Sequence, residues 1–151
     1  MALGIVLRKA DFSDIEFLFQ LRNQAAVYCY FRNPKAVPWP EHINWLTPIL
    51  LGLTEKSLRI IEINKERIGQ IRFDQIDKKT AEISVSLLKK FQGQGIGFDA
   101  LKKAIRIIRR ERPALYLAAE VHKNNLASQK LFAKLGFAPQ NKTGKWRQYV
   151  L

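Results

Sequence analysis

The feature that most constrains this chain is a glycine-rich turn, QGQGIG at residues 92–97, placed between a strand pattern and a helix pattern. Residues 80–88 alternate apolar and polar side chains, which predicts a strand with one dry face. Residues 97–112 carry apolar side chains at helical spacing opposite basic ones, and Pro113 ends the predicted helix. Because glycine lacks a Cβ, backbone N–H groups in such a turn converge on an anion, and the helix dipole adds positive potential. The sequence therefore predicts a phosphate-binding turn at the start of a helix.

The spacing of the glycines separates this turn from two common nucleotide motifs. The dinucleotide fingerprint requires a glycine where Phe98 stands, and a nucleoside-triphosphate loop requires a Gly-Lys-Ser/Thr that does not follow here. Neither motif is therefore predicted. Taken alone, the turn is also compatible with a flexible connection that binds no ligand.

Two helices are predicted in the first third of the chain. Residues 5–8 indicate a short strand, and Ser13 with Glu16 forms a predicted capping box that starts a helix ending near Gln24. Pro40 suits the first turn of a second helix.

The remaining strands and helices follow from alternating and helical periods. They comprise a hairpin at 57–63 and 67–76, the third strand of a meander at 80–88, a strand at 115–121, a helix at 126–135 and a last strand at 146–151. Residues 141–143 indicate a polar loop. The order of elements predicts a three-layer α+β fold, in which a mixed, mostly antiparallel sheet carries helices on both faces. The 151 residues suit a single domain, 1–151.

Charge and cysteine usage narrow the classes of function. The 26 Lys and Arg residues against 13 Asp and Glu give a net charge of +13, which attracts anionic ligands and is compatible with nucleic-acid binding. Much of this charge lies on the predicted helix 97–112, where a solvated amphipathic face is the alternative interpretation. With one cysteine, Cys29, and two histidines, His42 and His122, we expect no internal disulfide and no metal. No leader or membrane span is predicted, so we expect a cytoplasmic protein.

The turn resembles the fingerprint of the GNAT superfamily of N-acetyltransferases, Gln/Arg-x-x-Gly-x-Gly/Ala, which Gln92, Gly95 and Gly97 match. The second signature of the superfamily is an asparagine before a helix that ends in Gly-Phe, and it is matched by Asn125 and the later Gly136-Phe137. The resemblance covers nearly the whole chain, and it implies acetyl-CoA as the acetyl donor.

The resemblance also implies three groups of cofactor-binding residues. The end of the third meander strand binds the pantetheine arm, the glycine turn wraps the pyrophosphate, and the last helix lines the far side. In that order the residues are Leu87, Leu88 and Lys89; Gln92, Gly93, Gln94, Gly95, Ile96 and Gly97; and Asn125, Ser128 and Phe132.

Acetyl transfer to an amine requires a proton acceptor for the amine and a proton for the departing sulfur. Glu82 lies on the polar face of the strand that enters the turn and is the expected acceptor, with a solvated or salt-bridged glutamate as the alternative. The usual donor in the superfamily is a tyrosine at the position of Phe132, which has no proton to give. We therefore expect Tyr149 or a water to donate, unless the thiolate leaves unassisted.

The N-terminal third is expected to choose the acceptor. Its pattern includes Arg22, Asn23, His42 and Trp45, and it resembles the amino-sugar N-acetyltransferases of the pseudaminic-acid pathway. This resemblance implies the 4-amino group of a UDP-linked amino-deoxy sugar as the acceptor. Arginine and aromatic side chains suit a diphosphate and a base, although His42 and Trp45 also have structural interpretations.

Other functions share parts of these patterns. Acetyltransferases that act on ribosomal-protein N-termini are the first alternative, and those that act on spermidine are less favoured because the carboxylates of the first third are dispersed. A non-catalytic GNAT-like module that binds nucleic acid through its basic helix is the alternative from another class. No aromatic residues interleave with that basic run, as a surface that stacks single-stranded bases would require, so nucleic acid is less favoured. The expected partner is a small-molecule amine. We expect no membrane association, and a monomer or homodimer.

Overall fold

The computed structural model describes residues 4–151 and contains one seven-stranded sheet; residues 1–3, part of the stretch considered for a leader, lie outside it. The strands are β1 (Ile5–Lys9), β2 (Lys56–Ile63), β3 (Glu66–Gln75), β4 (Thr80–Leu87), β5 (Tyr116–His122), β6 (Ala138–Thr143) and β7 (Trp146–Val150). Their order in the sheet is β1-β2-β3-β4-β5-β7-β6, and every neighbouring pair is antiparallel except β4 and β5. The predicted mixed, mostly antiparallel sheet is confirmed.

Helices pack on both faces of the sheet, as the sequence predicts. They are α1 (Ile15–Arg22), α2 (Ala25–Tyr28), α3 (Trp39–Leu50), α4 (Ile96–Glu111) and α5 (Leu126–Lys134). On one face, Leu18 of α1 and Leu46 of α3 pack against Ile60 of β2. On the other face, α4 and α5 cover the larger core, in which Leu101 and Leu117 are fully buried. Each such side chain stabilises the fold by about 1.5–3 kcal/mol. In the described residues no helix is both long and apolar enough to cross a membrane.

The two parallel strands at the centre of the sheet separate after three residue pairs. Residues 80–82 pair with residues 116–118, and beyond this point both strands continue without pairing to each other. Leu88 donates its N–H to the carbonyl of Ile68 in β3, and backbone groups of a strand alternate between its edges. The N–H and C=O groups of Val85 and Leu87 are therefore directed toward the gap. The divergence opens a cleft through the sheet beside the glycine turn.

The predicted capping box is wrong by two residues. Asp11, rather than Ser13, accepts from a backbone N–H of the first turn, and Asp14, rather than Glu16, accepts from the Asp11 N–H at 2.8 Å. The reason is the burial of Asp14, whose carboxylate is held in place by a 2.7 Å ion pair with Arg8. A buried carboxylate requires such partners, so it fixes where the turn begins.

Strand β6 corrects the interpretation of residues 141–143 as a loop. These residues lie in an edge strand that pairs with β7, and all six residues of β6 are exposed. Because no face of the strand is buried, its sequence lacks the alternation that predicts strands. The four-residue helix α2 is also absent from the sequence prediction.

Candidate active site

The glycine turn presents a row of unpaired N–H groups at the start of α4. Gly93 and Gly95 adopt positive φ angles of 74° and 80°, and a Cβ at either position would meet nothing within 4 Å. No hydrogen bond to the described residues engages the backbone N–H groups of residues 93–98. Six unpaired donors beside a 16-residue helix form a strong anion site. This local geometry fits a pyrophosphate group.

The end of β4 is occupied by side chains of the protein itself. The Gln92 amide donates to the Leu87 carbonyl at 3.0 Å, and the Lys89 N–H donates to the Gln24 side-chain oxygen at 3.1 Å. Leu88 is bonded to β3. Of the three residues predicted to bind the pantetheine arm, Leu87 is the one whose backbone groups face the gap, and its carbonyl already accepts from Gln92.

The three residues predicted on the last helix differ in exposure. Asn125 is the N-cap of α5, and its side-chain oxygen accepts from the Ser128 N–H at 3.2 Å. Both residues are half-buried, so part of each side chain is accessible to solvent. Phe132 is buried in the core, with its ring 5.1 Å from that of Phe137.

Glu82 lies among carboxylates from two neighbouring strands. It pairs across the sheet with Asp74 of β3, while Glu120 follows two residues after its β5 partner, Ala118, and therefore shares its face. Burial raises the pKa of Glu82, and the charges of Glu120 and Asp74 raise it further, against smaller opposite effects of Arg72 and Arg32. A carboxylate whose pKa is raised in this way is suited to accept a proton near neutral pH.

Of the three carboxylates, Glu82 is the one that forms no ion pair with the described residues. Asp74 lies 3.1 Å from the Lys56 ammonium and 3.0 Å from Arg72 Nε, and Glu120 is paired with Arg32. The Asp74 Oδ1 atom and Arg72 Nε are buried without a properly aligned hydrogen-bond partner among the described residues. These two atoms lie 3.0 Å from each other and are ion-pair partners, so Glu82 remains the carboxylate of the three that is open to a ligand.

Glu82 and Glu120 line one cavity of about 410 Å³ on the face opposite α4 and α5. The other lining residues are Ile76, Thr80, Tyr116, Ala118, Ala119, Gln140, Gln148, Tyr149 and Val150. A cavity of this size holds a small organic molecule.

Tyr149 lies across the sheet from these carboxylates. It pairs with Ala119, whose neighbour Glu120 lies on the opposite face of β5. The Tyr149 side chain is accordingly buried in the core beneath α4 and α5, in the same cluster as Leu87 and Phe132. Tyr149 thus borders the cavity of Glu82, but its side chain points into the core on the other face of the sheet, so the two predicted catalytic side chains do not lie on the same side.

Arg22 and Asn23, predicted to contact the acceptor, fasten residues 29–38, the segment that we call the acceptor loop. The Arg22 guanidinium donates to the carbonyls of Asn33 and Lys35 at 3.1 and 3.0 Å. Asn23 exchanges two hydrogen bonds with the backbone of Val37, at 3.0 and 2.7 Å. Both side chains are engaged with backbone.

His42 and Trp45, the other predicted acceptor residues, differ in exposure. His42 is 3% exposed, with Nε2 3.0 Å from the Ile15 carbonyl, and burial lowers its pKa. Its ring therefore stays neutral at neutral pH and donates to α1 as a structural contact. Trp45 is 38% exposed, and the Arg72 guanidinium lies 5.4 Å from its ring. Because Arg72 also pairs with Asp74, Trp45 is connected to the carboxylates through this arginine.

The Asn23→Ala substitution is expected to lower the free energy of unfolding by about 1–2 kcal/mol, because both hydrogen bonds to the Val37 backbone are lost. CoA affinity should remain unchanged, since the Asn23 side chain bonds to the Val37 backbone and not to the glycine turn. Chemical denaturation and calorimetry measure the two quantities. Asn141→Ala, at an exposed position of β6, is the matched control. Unchanged stability with a raised KM for the acceptor would instead indicate substrate contact.

Comparison with known proteins identifies one family. The chain matches the acetyltransferase (GNAT) domain over residues 5–138. A curated relative, the ribosomal protein uS5-alanine N-acetyltransferase of Escherichia coli (strain K12), is 31% identical over 97 residues, which cover 58% of this chain. The same stretch is 50% of the relative, so the match extends over about half its length.

Solved structures share the architecture at lower identity. A domain from Methanocaldococcus jannaschii has a TM-score of 0.87 at 22% identity, with 99% of both chains covered. Spermidine N-acetyltransferase from Vibrio cholerae, in complex with CoA and spermine, has a TM-score of 0.84 at 17% identity. The match covers 97% of this chain and 94% of that enzyme's chain. The Campylobacter jejuni N-acetyltransferase PseH, in complex with acetyl coenzyme A, has a TM-score of 0.75 at 21% identity, and the match covers 97% of each chain. At these identities the likeness shows the fold alone.

Proposed function

The chain belongs to the acetyltransferase (GNAT) family, and from this membership we propose that it transfers an acetyl group from acetyl-CoA to a primary amine. When bound, acetyl-CoA supplies the acetyl group as a thioester. The unpaired N–H groups of residues 93–98 would hold its pyrophosphate, and the edge of β4 at Val85 and Leu87 would hold its extended arm. Asn125 and Ser128 would border the same gap.

The observation that carries the proposal is Glu82, a half-buried carboxylate without an ion-pair partner among residues 4–151, close to where β4 and β5 diverge. An amine attacks only when neutral, so a nearby group must take its proton as the new C–N bond forms and the C–S bond breaks. Glu82 would accept that proton, directly or through water. Its raised pKa makes the transfer more favourable than it would be for an ordinary glutamate.

The proton for the departing sulfur has two proposed sources. The first is Tyr149, which belongs to the same core cluster as Leu87 and Phe132, on the face of the sheet that α4 and α5 cover. Its phenol would donate from that face, opposite to Glu82. Departure of the thiolate without a donor is the alternative, since a thiol pKa of about 8.5 makes it an acceptable leaving group.

For the acceptor, we propose the 4-amino group of a UDP-linked amino-deoxy sugar. Trp45 with Arg72, and Trp146 with Arg32, supply two aromatic–cation pairs near the carboxylates. Such pairs suit the base and the phosphates of a nucleotide sugar. Arg22 is bonded to the backbone of the acceptor loop, so it adds little to this proposal. The two aromatic–cation pairs are therefore the main support for a nucleotide-sugar acceptor.

A protein N-terminal amine is the second candidate acceptor. The observation that favours it is the 31% identity to an enzyme named for acetylating an alanine of a ribosomal protein. An N-terminal alanine also presents a single reactive amine, which is all that Glu82 requires.

A product assay tests the proposed function. The protein is incubated with acetyl-CoA and either a UDP-4-amino-deoxy sugar or an alanine-initiated peptide, and the products are examined by mass spectrometry. One added acetyl group on the sugar is the expected result. Acetylation of the peptide alone would move the assignment to the second candidate. The absence of both products, together with the absence of CoA binding and the presence of salt-sensitive nucleic-acid binding, would contradict an enzymatic role.

A further inference from the structure

Arg32 of the acceptor loop reaches across to the central strands and forms an ion pair with Glu120 of β5. Its Nε and Nη2 atoms lie 2.9 and 2.5 Å from the same carboxylate oxygen of Glu120. Its guanidinium also lies 4.5 Å from the ring centroid of Trp146 in β7. Glu120 and Trp146 belong to strands that pair with each other, so this contact joins the loop to the sheet.

A carboxylate beside an aromatic ring is a favourable environment for an organic cation. The Glu120 side chain is 17% exposed, whereas the Arg32 side chain is 65% exposed. Glu120 is therefore a fixed part of the cavity, and Arg32 is a cation that the loop brings to it. The backbone contacts of Arg22 and Asn23 with residues 33–37 keep that part of the loop in place.

The site beside Glu120 and Trp146, which Arg32 occupies, lies at a defined distance from Glu82, the proposed proton acceptor. Glu120 lies on the neighbouring strand, two residues beyond the register partner of Glu82 and on the same face. Strand geometry gives at least about 8 Å between their Cα atoms, from about 3.3 Å per residue along the strand and about 4.8 Å between paired strands, and the divergence of the strands beyond Ala118 adds to this distance. An acceptor whose reacting amine lies at Glu82 would therefore bring a second ammonium group, a few carbons away, to Glu120. Arg32 already holds that position.

We propose that Arg32 determines acceptor specificity by filling the cation position formed by Glu120 and Trp146, so that the enzyme favours acceptors with one amine over polyamines. This inference rests on the proposed function. Both candidate acceptors satisfy it, since each reacts through a single amine. A polyamine would have to displace Arg32, which is covalently attached and so present at high effective concentration.

The test compares the binding of spermidine and of butylamine to the 151-residue protein by calorimetry in the presence of CoA. Replacing Arg32 with glutamine should tighten spermidine binding about tenfold, because one partly buried ion pair with an aromatic contact becomes available. Butylamine binding should change less than about twofold. The Arg32→Gln, Glu120→Gln double variant should lose the gain. Arg106→Gln, which removes an exposed arginine of α4, is the matched control for bulk charge.

Three results would overturn the proposal: spermidine affinity within twofold of wild type in Arg32→Gln, an equal gain in Arg106→Gln, or a gain that persists in the double variant. The same titrations report CoA binding, and the product assay reports acetylation of the single-amine acceptor. If both persist while spermidine affinity is unchanged, the specificity inference fails and the proposed function stands. If both are absent in wild type, the proposed function itself fails.

Discussion

Replacing Glu82 with glutamine is expected to lower kcat by about 10²- to 10³-fold and to leave CoA affinity within about twofold, because general-base catalysis typically contributes 10²–10⁴. Glutamine keeps the shape of the side chain but cannot accept a proton. The groups proposed to hold CoA lie in residues 93–98 and on the edge of β4, so their geometry is unaffected. The loss should therefore appear in kcat and not in cofactor binding.

The pH profile of the wild-type enzyme provides an independent measurement of the same role. A base acts in its deprotonated form, so kcat/KM should fall as the pH is lowered through the pKa of Glu82. Burial and the charges of Glu120 and Asp74 raise that pKa, so the fall should occur at a higher pH than for an ordinary glutamate. The Glu82→Gln variant should lack this limb and retain only the pH dependence that comes from protonation of the acceptor amine.

The control for Glu82→Gln is Glu16→Gln, the same chemical change on an exposed residue of α1 that forms no ion pair with the described residues. It should keep wild-type kcat and the wild-type pH profile. Near-wild-type kcat in Glu82→Gln, with the acid limb retained, would show that another group accepts the proton.

The local parts of the site were predictable because their signals are contiguous in sequence. The alternation of residues 80–88 and the helical period of residues 97–112 each depend on burial of one face, and both elements are confirmed. The glycine turn between them uses backbone groups, so its anion-binding geometry follows from glycine spacing alone. Neither inference required knowledge of how distant parts of the chain meet.

The acceptor side could not be predicted in the same way. Asp74, Glu82 and Glu120 come from three strands, and only the pairing register brings them to one face. None of the three belongs to the N-terminal third, which the sequence indicates as the segment that chooses the acceptor. The one usable signal was that each of these residues occupies a polar position in a predicted strand.

Arg22 and Asn23 show a second limit of sequence interpretation. Their residue types suit a diphosphate or a sugar, but in the structure they bond to backbone groups of residues 33–37. That outcome depends on the path by which the acceptor loop returns past α1. Residues 29–38 contain no periodic pattern that fixes such a path.

Gly69→Ala is expected to lower the free energy of unfolding by about 2–3 kcal/mol and to weaken CoA binding at least about tenfold, because a well-packed site has no room for an added methyl group. A Cβ at Gly69 would lie 2.3 Å from the Ser86 carbonyl oxygen and 2.7 Å from a methyl carbon of Leu87. The first of these is backbone, which cannot rotate away. Strand β4 would have to move away from β3 at the end that borders the gap.

That displacement connects stability to cofactor binding. Gly69 pairs directly with Leu87, whose carbonyl is bonded by Gln92 of the glycine turn. A shift of β4 would thus misplace both the edge proposed to hold the pantetheine arm and the start of the anion site. The matched control is Gly4→Ala, where a Cβ would meet nothing within 4 Å and stability should stay within about 0.5 kcal/mol of wild type.

Denaturation and CoA calorimetry on the same samples separate the two effects of Gly69→Ala. With a loss of 2–3 kcal/mol the variant should remain mostly folded, since domains of this size are typically stable by about 5–15 kcal/mol. A tenfold weaker Kd measured on folded protein would then report local displacement of β4 and not global unfolding. Wild-type values for both quantities would show that β3 and β4 separate at this pair without cost, which would remove the proposed link between this glycine and the cofactor site.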